Sequence, residues 1–116
     1  MLFLLIFVKI LITMNDHNEI ACSIEEVVCS RIGIELNRLF EDTKKGDCVK
    51  ARHLSIFVLH TLYHIPISFL SKRYKCSPRH VFRAISQLRD YVSTSRQYRE
   101  LIQTLSDDLE SMNITK

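Results

Sequence analysis

The chain has 116 residues, 47% of them apolar and 25% charged, with two glycines and two prolines. That length suits one ordinary domain, which buries roughly two-thirds of its unfolded surface and needs no disulfides. The composition excludes disordered, collagen-like and low-complexity chains. Scarce Gly and Pro speak against many-turned β architectures, so an all-α, compact multi-helix domain is the expectation.

The formal net charge is only +3, but its placement is uneven. Residues 44–99 carry twelve basic side chains against Asp47 and Asp90, a balance of +10, while the segments on either side are acidic. A basic middle between acidic ends is the pattern of a face that meets a polyanion, and equally that of a solvated helix surface.

Leu2–Val8 is a continuous apolar run, interrupted at Lys9 and resumed through Ile12. As a helix, Leu2–Thr13 would be about 18 Å long, short of the roughly 30 Å of a bilayer core. No basic residue precedes the run and no small-residue cleavage site follows it, so it makes a poor signal peptide. Met14 and the polar Asn15-Asp16-His17-Asn18-Glu19 read like a cytoplasmic amino terminus. Residues 1–13 are therefore expected to lie upstream of the true start, or else to form a weak surface anchor, with 14–22 as a polar arm and 23–112 as the domain.

Ser23 and Glu26 form a capping box that predicts a helix from Ser23, with Gly33 placed to close it. A short apolar piece follows (Ile34, Leu36, Leu39, Phe40), then a charged loop over Asp42–Asp47. Asp47 is positioned to cap a helix over Cys48–His64, apolar on most sides and hence central. Pro66 suits the first turn of the next helix, whose stripe is Ile67, Leu70 and Tyr74. Lys75-Cys76-Ser77 reads as a three-residue break, and Ser77-Pro78 as a cap followed by proline at the first helical position. The helix Pro78–Tyr91 has an inner stripe of Val81, Ala84, Ile85, Leu88 and Val92, and an outer face of Arg79, His80, Arg83, Ser86, Gln87 and Asp90. A last helix is predicted over Ser95–Met112, with Leu101, Ile102, Leu105 and Leu109 on one side.

Two short helices joined by a tight turn have the form of a helix-turn-helix. Ile24–Leu109 further resembles the carboxy-terminal DNA-binding domain of the bacterial replication initiator DnaA, in the Trp-repressor-like helix-turn-helix class. Val49-Lys50-Ala51-Arg52-His53-Leu54 is similar to that family's basic turn leading into a long helix, an R-x-x-A-M-Y-L type pattern. Ile67-Ser68-Phe69-Leu70-Ser71-Lys72-Arg73-Tyr74 is similar to its S-L-P-E-I-G-x-x-F helix, and Ser77-Pro78-Arg79-His80-Val81-Phe82-Arg83-Ala84 aligns with its D-H-T-T-V-L-H-A signature. Only the valine and alanine of the signature survive, and the turn is one residue shorter, so fold and docking carry over better than target sequence. No glycine-rich phosphate loop is present. The resemblance thus implies the DNA-binding domain alone, as in a phage or other mobile element, acting in replication initiation, its regulation, or transcription.

On this resemblance the helix from Pro78 lies in the major groove. Arg79 and Arg83 each match guanine O6 and N7, and His80 or Gln87 adds a contact. Lys50 stands at the family's minor-groove position, with Arg52 nearby for a phosphate, and Lys72, Arg73, Lys75 and Ser77 hold the backbone from the other side. The expected partner is double-stranded DNA, with other replication or transcription proteins besides. The alternative is a protein-interaction adaptor on the same helices.

His60 and His64 are spaced to share a helix face with His53, but no glutamate or third ligand completes a zinc motif. The four cysteines lack C-x-x-C spacing; small buried apolar roles are expected of them, with Cys76 in the turn the candidate exposed thiol. No Ser-His-Asp or paired-carboxylate arrangement stands out. Neither enzyme activity, cofactor, metal nor small-molecule substrate is expected, and a membrane role is not.

Overall fold

The computed structural model describes residues 17–40 and 46–111. The apolar segment 1–13, the first residues of the polar arm and most of the charged loop lie outside them. Five α-helices and one 3-10 helix follow in order: α1 (His17–Ile32), η1 (Leu36–Phe40), α2 (Gly46–Tyr63), α3 (Ile67–Arg73), α4 (Pro78–Thr94) and α5 (Arg96–Ser111). Among the described residues there is no strand, so the chain is all-α.

α2 is the hub because it is apolar nearly all round. Leu54, Ile56, Val58 and Leu59 are buried on different sides of it, against α1 on one flank and α4 on the other. α3 and α4 pack against each other as the helix-turn-helix, and α5 runs back over α4 to reach α1. Only Ser95 separates α4 from α5. Arg99 secures that corner, its guanidinium donating to the Ser93 carbonyl at 3.3 Å, where α4 ends and acceptors are exposed.

Two expected boundaries move. α1 begins at His17, ahead of Ser23, so Ser23 lies inside the helix and the capping box is not its start. The S-x-x-E spacing recurs within helices, and the residues before it contain no glycine or proline to stop one; Ala21, fully buried, ties that extension to the core. Gly33 does end α1, at φ +88°, and the Ile34 amide reaches back to the Cys29 carbonyl at 3.1 Å. α2 begins at Gly46, which places Asp47 within the first turn, favourable to the helix dipole, rather than at the cap.

The turn of the helix-turn-helix is longer than the expected three residues, because Tyr74 terminates α3. The Cys76 amide bonds the Ser71 carbonyl at 3.0 Å and the Lys75 amide bonds Lys72 at 3.4 Å, with Lys75 left-handed at φ +53°. This is a Schellman cap with a lysine where glycine is usual. α4 then opens as expected: the Ser77 hydroxyl accepts from the His80 amide at 3.1 Å, and Pro78 occupies the first position.

An ion pair locks α3 to α1. Glu25 is 1% exposed and receives both Arg73 Nη2 at 2.6 Å and Nε at 2.8 Å, while the Tyr74 hydroxyl donates to it at 2.5 Å. The Arg73 guanidinium also reaches Asn18 Oδ1 and lies over the Phe40 ring, so α1, η1 and α3 meet on one side chain. Burial and the neighbouring carboxylate push the Tyr74 phenol well above its usual range.

Removing one member leaves a desolvated charge behind. Glu25→Ala is expected to cost about 3 kcal/mol in urea unfolding, whereas Glu25→Leu combined with Arg73→Met costs far less than the two single losses added. Additive losses would show that the pair is not coupled.

Candidate nucleic-acid interface

The burial pattern of α4 decides which way its side chains face. Val81, Ala84, Ile85 and Leu88 are buried, and at about 100° per residue they occupy one narrow stripe. Arg79 and Arg83 lie on the opposite side, successive turns of one ridge, and both are exposed. His80, Ser86, Gln87 and Asp90 are exposed with them.

Some of the described basic side chains are tied to carboxylates and others stand apart. Arg31 pairs with Asp108 at 2.6 Å, Arg73 with Glu25, and Arg96 with Glu100 at 3.0 Å. Arg79, Arg83, Arg89, Lys72 and Lys75, all exposed, make no side-chain hydrogen bond, ion pair or ring contact with other described residues. The uncommitted cations thus gather on α4 and on the end of α3 and its turn. A guanidinium without a counter-ion retains its donors for bidentate bonding to carbonyl, ring-nitrogen or phosphate acceptors.

Arg73 is differently engaged from its neighbours Lys72 and Lys75. It was expected beside Lys72 and Lys75 on a phosphate-facing surface, but its donors are spent on Glu25 and α1. Arg73 is one residue from Lys72 and two from Lys75, separations at which side chains do not share a helix face, and nothing near it in sequence reveals a carboxylate from α1.

The other expected contacts are distributed around α4. The His80 ring meets His53 of α2 edge-on, with centroids 5.8 Å apart. Gln87 donates to the Tyr91 hydroxyl at 2.9 Å. Both therefore lean toward the α2 flank. Lys50, exposed on α2, places its ammonium 5.3 Å from the centroid of Tyr98 on α5. Lys50, His53, Gln87, Tyr91 and Tyr98 line a shallow groove of about 170 Å³ beside α4. Arg52 is half-buried near the turn, where its charge acts on Cys76 and His53. Ser77 spends its acceptor on the cap, and its hydroxyl proton remains able to donate.

One exposed side chain on α4 was not singled out from the sequence. Phe82 is 59% exposed, and its position beside the inner stripe, one residue after Val81, could have been found by projecting the helix around its axis.

The histidines do not form a ligand set. His60 Nδ1 donates to the Ile65 carbonyl at 3.1 Å, and His64 is exposed at φ +57° where α2 ends. Among the described residues no three His, Cys, Asp or Glu side chains are grouped to hold a metal. Cys29 and Cys48 are buried as expected, Cys22 is exposed, and Cys76 is half-buried rather than open. Burial, with the Glu25 carboxylate next, pushes the Cys29 thiol up to about 11. No described helix is long and apolar enough to cross a membrane.

No protein-family model matches the chain, and no solved structure does. The chain is similar to the chromosomal replication initiator protein DnaA of Leptospira biflexa serovar Patoc, in two strains. It is 21% identical to each over 80 residues, which make up 69% of this chain and 18% of the relative. The chain thus spans under a fifth of those proteins.

His53 carries a pH signature. Burial, then the charges of His80 and Arg52, lower its pKa, so the folded state favours the neutral ring. Its contribution to stability is full above the unfolded value of about 6.5 and is lost as pH falls toward the lower folded value. Chemical denaturation between about pH 7.5 and 5.5 should show stability falling with pH, and His53→Gln should flatten that fall; an unchanged slope would contradict it.

Proposed function

We propose that this chain binds double-stranded DNA, with α4 as the helix that enters the major groove. The observation that carries this is the pair Arg79 and Arg83, exposed and without partners among the described residues, on the outer face of the second helix of a helix-turn-helix. Their fork of donors suits guanine O6 and N7. Lys72 and Lys75 approach phosphates from the α3 side, with Arg52 and Ser77 near the turn. Lys50, resting on Tyr98, swings to the adjacent groove, and His80 and Gln87 add contacts on the α2 flank.

The similarity to replication initiators, slight in identity but extending over most of this chain, supports a place in replication initiation or its regulation. A domain of this kind, from a phage or other mobile element, serves transcription equally well. The reading involves no catalysis and no cofactor, and it places the protein in the cytoplasm. About four phosphate contacts correspond to a log–log salt slope near −3 to −4.

Selection of bound duplexes from a random pool with the full chain supplies the test site. On it, Arg79→Ala should cost about 1–3 kcal/mol of binding while changing affinity for scrambled duplex little; Lys72→Ala should weaken both alike. Equal loss for Arg79→Ala on every sequence would remove it as a base reader. Absence of duplex binding at about 150 mM salt, a level at which even non-specific binding is measurable, would favour the protein-interaction adaptor instead.

A further inference from the structure

Phe82 is the most exposed of the large apolar side chains among the described residues. Other exposed rings are partnered: Phe40 stacks on Tyr74 with centroids 5.7 Å apart, and Tyr91 meets Tyr98 at 5.0 Å. Phe82 meets no ring among the described residues. It stands within the first turns of α4, the part of a recognition helix that reaches deepest into a groove. Taking Arg79 and Arg83 as the midline of the outer face, Phe82 lies roughly 80° to one side and His80 the same distance to the other.

Its surroundings select the partner. The residues next to it on the helix surface are Pro78, Arg79, Ser86 and Arg89, all exposed, and the two arginines have no counter-ion among the described residues. A protein-docking patch requires contiguous apolar area, which two cations interrupt. An anionic surface with a small, isolated apolar spot fits better. The major groove offers one such spot, the C5-methyl group of thymine, set between phosphates and hydrogen-bonding base edges.

We infer that Phe82 reads a pyrimidine 5-methyl group and so makes the chain discriminate thymine at one step of its site. The inference rests on α4 being the DNA-binding helix. His80, against His53, and Gln87, lining the groove beside α2, occupy that flank and leave the opposite flank of the groove floor to Phe82.

Uracil in place of thymine removes the methyl group and nothing else. With the full chain and its selected duplex, each thymine is replaced in turn by uracil, and binding is measured for the natural protein, Phe82→Ala and Phe82→Leu. The expected result is a loss of about four-fold at one position, the worth of one buried methyl. Phe82→Ala should lose affinity on the thymine duplex and nothing further on the uracil duplex, with Phe82→Leu between. Indifference of the natural protein to every replacement, a selected site without thymine, or equal thymine–uracil discrimination in Phe82→Ala would overturn the inference while leaving DNA binding intact. Failure of the natural protein to bind any duplex would overturn the reading beneath it. The side chain is exposed, so both variants should fold, and circular dichroism checks that they do.

Discussion

The orientation of α4 is fixed by the stripe that it buries. Val81, Ile85 and Leu88 are each 4% exposed or less, and burying such side chains contributes about 1.5–3 kcal/mol apiece. Against this, two arginines a turn apart repel by about 0.2–0.5 kcal/mol. Packing therefore wins by an order of magnitude, and the outer face can carry a ridge of like charge that an isolated helix would disfavour. Ser77 and Pro78 set where the helix begins, and the core stripe sets its rotation. Together they determine which side chains stand clear of the protein.

The second constraint is the Glu25–Arg73–Tyr74 cluster. A carboxylate removed from water is costly unless its charge and lone pairs are matched. Here two guanidinium bonds and one phenolic bond do so. The cluster pins the end of α3, and with it the start of the turn, onto α1. Its effect is positional: the angle at which α4 leaves the turn depends on where α3 ends. One arginine of a basic run serves the fold while its neighbours Lys72 and Lys75 remain in solvent.

Much of α4 was legible in the sequence because several independent signals agree there: a cap, a proline at the first position, and a stripe at helical spacing. The all-α class and the helix order followed from similar signals. What escaped depended on contacts distant in sequence or on residues in unusual roles. Arg73 looks like its basic neighbours until α1 brings Glu25 against it. The turn was read short because a lysine, not a glycine, takes the left-handed position at Lys75. The capping box at Ser23 misled because local spacing cannot reveal that Ala21 is also in the core. Phe82 was hidden by its place next to Val81, where apolar residues in succession suggest burial on both.

The account depends on the outward ridge of α4 being the surface that meets duplex DNA. Nuclear magnetic resonance of the full chain, titrated with its selected duplex, tests this most directly. The side-chain Nε–H signals of Arg79 and Arg83 should show the largest shifts, while the Arg73 signal, held by Glu25, stays in place. Shifts concentrated on α1 or α5, with those of Arg79 and Arg83 unmoved, would contradict it.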